Sequence, residues 1–136
     1  MHRIVVAIDN ADAVESALVM ALHFGTASHA DLHFIAAEPP KDIQTGAIPE
    51  QQRAQFNCLR EDIMARCRAV GVRADFEVLS PWSMNEIAIA LRRLGPELVV
   101  IGHRRPRSLM QRLLHVSLAK RLLDRTPCPL LVAFEP

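Results

Sequence analysis

Three short runs of aliphatic and β-branched residues most limit what this chain can become. They are Ile4-Val5-Val6-Ala7-Ile8, Leu98-Val99-Val100-Ile101 and Leu130-Leu131-Val132-Ala133-Phe134. None alternates with polar residues. Successive side chains of a strand point to opposite faces of its sheet, so a strand with one wet face alternates in polarity. An unbroken apolar strand is covered on both faces, as in a parallel sheet layered between helices.

The intervening segments have the periods such a layering needs. Asp12 and Glu15 form a capping-box-like helix start, and Val14, Ala17, Leu18, Ala21 and Leu22 make one helical stripe, with Gly25 and Ser28 as the stop. Residues 31–37 read as a second strand, closed by Glu38-Pro39-Pro40. A polar loop, residues 41–47 with Gly46, is the segment expected to move most. A long helix follows from Ile48 or Pro49 to about Val70, with the stripe Phe56, Leu59, Ile63, Cys67, Val70 and a stop at Gly71. Residues 73–79 alternate and suit an edge strand.

Ser83 and Glu86 cap a third helix with the stripe Met84, Ile87, Ala88, Leu91 and Leu94, closed by Gly95-Pro96. The fourth strand is residues 97–101, ending at Gly102. Ser108 and Gln111 cap a fourth helix to about Arg125, and residues 129–134 form the fifth strand. The order βαβαβαβαβ predicts one doubly wound α/β domain over residues 1–136, with a five-stranded parallel sheet in the order 3-2-1-4-5 and helices on both faces. Ligands of such sheets sit where the strand order reverses, here between the carboxyl ends of strands 1 and 4, at Asp9 and Gly102.

Composition excludes several functions. Aromatics are scarce, five Phe, one Trp and no Tyr, which argues against a base-stacking nucleic-acid surface. No stretch is apolar for the ~18 residues of a membrane span. Met1-His2-Arg3-Ile4 leads straight into a strand without a signal peptide, so the expected location is cytoplasmic. Cys58, Cys67 and Cys128 read as buried thiols and not as bridges, since Cys58 and Cys67 fall on opposite faces of one helix. The histidines show no metal-ligand spacing, and no metal site is assigned. Dinucleotide and P-loop glycine motifs are absent.

Two features remain. Residues 103–125 carry six Arg and one Lys against one Asp; with a net charge of +1, the rest of the chain is negative. Arg104, Arg105 and Arg107 fall in the loop before the fourth helix, where an anion would also meet helix N–H groups, although Pro106 removes one donor. A solvated surface loop is the plain alternative. His103 adjoins the crevice, but no nucleophile and base stand with it. Second, the last strand is apolar throughout yet belongs at a sheet edge. Native proteins cover such edges, and a second copy would do so with two-fold symmetry.

The runs Ile4-Val5-Val6-Ala7-Ile8-Asp9 and Leu98-Val99-Val100-Ile101-Gly102, with Thr126-Pro127-Cys128-Pro129-Leu130-Leu131-Val132, resemble the universal stress protein family. The resemblance covers the whole chain. It implies a doubly wound domain that forms homodimers through the last strands, here Leu130, Leu131, Val132, Ala133 and Phe134. It also implies a nucleotide site in part of the family, built on glycines after strand 4 in the pattern Gly, two residues, Gly, nine residues, Gly, then Ser or Thr. Gly102 matches the first glycine, Arg105 replaces the second, and His115 or Val116 replaces the third; one extra residue brings Ser117 to the hydroxyl position. Lost glycines close the backbone to phosphates. The chain thus resembles the branch that does not bind ATP tightly.

The candidate contacts for an adenine nucleotide or phosphate anion are Asp9, Ala37, Gly102, Arg104, Arg105 and Ser117. The expectation is a stress-response protein that binds and regulates and does not catalyse. The alternatives are a nucleotide switch or weak ATPase at Asp9 and Gly102, and an anion- or acidic-partner-binding module at Arg104, Arg105 and Arg107.

Overall fold

A computed structural model describes residues 2–8, 14–104, 125–126 and 128–135. The elements in order are β1 (Arg3–Ile8), α1 (Val14–Ser28), β2 (Asp31–Ala37), α2 (Glu50–Ala69), β3 (Ala74–Leu79), α3 (Met84–Leu94), β4 (Leu98–Arg104) and β5 (Leu130–Glu135). The five strands form one sheet in the order β3-β2-β1-β4-β5, and every pairing is parallel. The fold class and strand order expected from the three apolar runs hold. The fourth helix expected from Ser108, and the Asp12 cap of α1, lie outside the described residues.

The runs do not alternate because both faces are covered. Ile4, Val6 and Ile8 of β1, with Leu32, Phe34 and Ala36 of β2, pack under α1 and α2. Val5, Ala7, Ile35, Val99 and Ile101 turn to the opposite face, under Ile87, Leu91 and Leu94 of α3. Helices α1 and α2 thus share a face, and α3, which carries the chain from the β3 edge back past β1, takes the other. Right-handed crossovers require this when the winding direction reverses. The α3 caps form as read: Ser83 Oγ accepts from Glu86 N at 3.2 Å, and Gly95 takes the left-handed conformation with φ 58°. Arg3 adds to the C-terminal end by donating to the Leu94 carbonyl at 2.7 Å.

Three local expectations need correction. Gly25 does not stop α1. It lies buried inside the helix, which runs on to Ser28, and His29 makes the left-handed turn with φ 54°. A Cβ on Gly25 would stand 3.1 Å from Leu32 Cδ2, so glycine is there to let α1 approach β2. Leu32 is fully buried and has little room to yield. Gly25→Val is therefore expected to destabilise the protein by about 2 kcal/mol despite removing a helix glycine, readable as a lower urea midpoint.

Val70 is 48% exposed and does not extend the α2 stripe. The helix ends one residue earlier, at Ala69, and Val70 turns out as its C-cap. Finally, β4 does not end at Gly102. It continues to Arg104 because β5 offers it a ladder that far: Gly102 pairs with Ala133, His103 with Phe134 and Arg104 with Glu135. Gly102 and the backbone of Arg104 therefore belong to the strand and not to a loop.

Candidate functional site

The strand order reverses between β1 and β4. From β1 the chain leaves toward β2, and β5 lies on the far side of β4. The β1–β4 ladder runs to Ala7 paired with Ile101, which sets Ile8 level with Gly102. The β4–β5 ribbon projects two residues past that level, through His103 and Arg104. On the other side β2 runs to Ala37, paired with Leu79 of β3. Among the described residues, the β4–β5 ribbon thus stands on one side of β1 at this edge and the end of β2 on the other. Residues without bulk stand at both margins, buried Gly102 and half-buried Ala37.

Of the six candidate contacts, the structure places Ala37 and Gly102 on the two strands flanking β1 at this edge, and sets the backbone of Arg104 two residues above Gly102. Asp9, Arg105 and Ser117 lie outside the described residues, as do Arg107, His115 and Val116.

The two sheet edges differ in chemistry. At the β3 edge, Asp75 is exposed and Glu77 is held by Arg93 of α3. The Arg60 guanidinium lies 5.1 Å from the Phe76 ring centre, and Phe56 meets that ring edge-on at 6.0 Å. Charge and long side chains blunt this edge. His33 Nε2, buried without a hydrogen-bond partner, faces Glu77 Oε1 at 3.7 Å from β2.

Within β5 itself no charged residue precedes Glu135. Leu130, Leu131 and Val132 are half-buried and Phe134 is 52% exposed. Val99 N donates to Pro129 O at 3.0 Å. In a parallel ladder this phase turns the peptide groups of Leu131 and Ala133 toward β4 and those of Leu130 and Val132 outward. An apolar groove continues from the strand onto α1, lined by Ser16, Val19, Met20, Val132 and Phe134 among others. Ser16 Oγ donates to the Ala133 carbonyl at 3.4 Å across its floor. Sequence reading missed Val19 and Met20. The available signal was Val19 itself, an apolar residue off the α1 core stripe.

Beside this groove, Glu15 of α1 accepts two hydrogen bonds from Arg66 of α2, at 2.6 and 2.9 Å. These bonds hold the Glu15 carboxyl below its ordinary range and the Arg66 guanidinium above its own. The pair is largely exposed, and pairs of this kind contribute under about 1 kcal/mol. Its share of the stability is present above the ordinary carboxylate range and is lost as pH falls through the lowered value.

The thiols are unpaired, as expected, but only Cys67 is buried: Cys128 is half-buried and Cys58 is exposed. Burial pushes Cys67 and Cys128 up, so both stay protonated at neutral pH. In the native protein a thiol reagent is expected to modify exposed Cys58 first and half-buried Cys128 slowly, with fully buried Cys67 reacting at the rate of unfolding. Mass spectrometry of a timed reaction checks the order.

No helix among the described residues is long and apolar enough to cross a membrane. Comparison with known proteins follows the fold closely. The family model described as "Universal stress protein family" matches residues 1–133. Comparison with curated proteins finds no match. Among solved structures, a protein of the universal stress protein family from Burkholderia pseudomallei is 25% identical, with a TM-score of 0.68 over 96% of this chain and 93% of that one. A family protein from Arabidopsis thaliana with AMP bound is 15% identical, with a TM-score of 0.69 over 100% and 93% of the two chains. The universal stress protein from Archaeoglobus fulgidus in complex with dAMP is 14% identical, with a TM-score of 0.67 over 98% of each.

Proposed function

The chain belongs to the universal stress protein family, and we propose that it acts in stress response by binding and regulation and not by catalysis, as a homodimer joined through β5. The observation that carries the proposal is the contrast between the two sheet edges. One is closed by charge and long side chains, and the other presents an apolar strand with outward peptide groups at Leu130 and Val132. An antiparallel partner centred on Val132 would pair Val132 with its own copy and Leu130 with Phe134, and would extend the sheet across a two-fold axis. A cytoplasmic location fits this reading.

A second reading, an adenine nucleotide at the β1–β4 crevice, is favoured by the two small residues at its margins and by the AMP and dAMP held by the Arabidopsis and Archaeoglobus relatives. Ala37 and Gly102 leave space for a base and a sugar, and Asp9, Arg104, Arg105 and Ser117 are the remaining candidate contacts. Arg105 and Val116 stand where the family's phosphate-wrapping glycines would be. Phosphate would then be held by guanidinium charge and not by backbone N–H groups, and binding would be weak.

Thermal shift and calorimetry with ATP, ADP, AMP and pyrophosphate test both readings, because a ligand of the folded state raises the melting temperature. The expected result is a shift only at millimolar nucleotide, without phosphate release. Saturation at micromolar ATP with turnover would replace the regulatory reading by an ATPase. No shift with any nucleotide at millimolar concentration would end the nucleotide reading.

A further inference from the structure

The apolar groove between α1 and β5 is built by a helix flank and a strand that both face past the sheet edge. α1 packs across β1, β4 and β5, so its axis lies over the middle strand of the three, β4. Its flank on the β5 side carries Ser16, Val19 and Met20, whose spacing places them on one face of the helix. Ser16 Oγ donates to the Ala133 carbonyl, which sets this flank level with the end of β5. Val19 is 48% exposed, although Ala17, Leu18 and Ala21 around it are buried.

The strand supplies the floor. Leu131 packs with the core under α1 and α2, while Leu130 and Val132 pack on the α3 side. Side chains alternate along a strand, so Ala133 shares the α1 face with Leu131. One large and one small residue thus stand on that face, on either side of Val132. At the end of the groove Glu15 is tied to Arg66, so this carboxylate is already paired.

A two-fold pairing centred on Val132 sets Ala133 opposite the partner's Leu131, and Leu131 opposite the partner's Ala133. With its peptide groups outward, Val132 forms the hydrogen-bonded pair. The two flanking pairs are then the non-hydrogen-bonded ones, whose side chains come closest. Large meets small twice, on the face that α1 covers. Pairing centred on Leu131 would set leucine against leucine, and pairing centred on Ala133 would set Leu131 against the partner's Glu135. The two copies of β4 would lie three strand spacings apart, about 14 Å, and the two copies of α1 with them. Helices are about 10–12 Å across with their side chains, which leaves about 2–4 Å between the flanks that carry Val19. A strand pair alone would be a thin contact, because β5 has six residues and stable interfaces use roughly 20–30 a side.

We propose that the α1–β5 groove is the second layer of the seam between two copies of this chain. Each Leu131 fills the partner's groove beside Ala133, and the two Val19 side chains meet above them at the two-fold axis. The inference rests on the β5 homodimer proposed above, and adds to it the surface that selects its register.

Sedimentation compares the wild type with Val19→Asp and with Val19→Ile, which keeps the apolar contact. Val19→Cys is labelled with a thiol reagent over a range of protein concentrations and read by mass spectrometry. Val19 is exposed in the single subunit, so the dilute variants should share the urea midpoint of the dilute wild type. The expected result is dimer affinity lowered about a hundredfold by Val19→Asp, which each dimer carries twice, and near-normal affinity in Val19→Ile. The thiol of Val19→Cys should label fast in dilute protein and slowly once the dimer forms, while exposed Cys58 labels at one rate throughout. Should Val19→Asp fail to fold, the labelling decides. Equal affinity in the wild type and a folded Val19→Asp, or labelling at position 19 that ignores concentration, overturns the second layer and leaves the β5 seam standing. A wild-type monomer at high concentration, or a dimer that survives Val132→Pro, overturns both.

Discussion

Replacing Val132 with proline is expected to give a folded monomer at concentrations where the wild type is expected to sediment as the proposed β5-joined dimer. Proline removes one backbone donor, and at position 132 that donor points away from β4. The internal ladder is kept, while the central hydrogen bonds of a two-fold β5 pairing are lost. Leu131→Pro is the control. Its N–H belongs to the β4 side of the strand, so the same substitution one residue earlier should destabilise the fold itself by about 3 kcal/mol or more. Sedimentation and urea unfolding of the two variants separate the effects. A wild-type monomer at high concentration, or a Val132→Pro protein that stays dimeric, would reject the β5 seam. The melting temperature of the wild type should also rise with protein concentration.

Phe34→Ala is expected to cause the largest loss of stability, about 3–5 kcal/mol. Phe34 is fully buried on β2, on the face that receives Ile63 and Cys67 of α2. Its ring stacks on Phe76 of β3 with centroids 6.1 Å apart. α2 is a 20-residue helix that buries only Ile63 and Cys67, with Phe56 and Leu59 partly covered. Removing the ring beneath it leaves a cavity that so few anchors cannot close. In thermal melts the midpoint should fall by roughly 10–20 °C. The dimer should persist wherever the variant is folded, because β2 and β5 are separated by β1 and β4. Dissociation of folded Phe34→Ala would mean that the seam lies elsewhere.

The strands and helix stripes were legible because burial on a regular element leaves a period in the letters. Val14, Ala17, Leu18 and Ala21 keep helical spacing, and the structure buries all four. Boundaries were less legible where a distant segment set them. Gly25 reads as a stop until Leu32 is seen against it. Gly102 reads as a strand end until Ala133 is found pairing with it. The candidate site was legible as a location, the ends of strands 1 and 4, because topology fixes it.

The sequence by itself pointed to a parallel α/β sheet and its expected strand order, because unbroken apolar strands separated by amphipathic helices admit few other arrangements, and the motifs at residues 4–9, 98–102 and 126–132 carried the resemblance to the family. Tertiary structure alone decided how far β4 runs, why α1 carries a glycine, and that one sheet edge is closed by Arg60, Glu77 and Arg93 while the other presents the apolar strand Leu130–Phe134. Each depends on residues far apart in the chain meeting across the sheet, and local periodicity carries no record of such meetings.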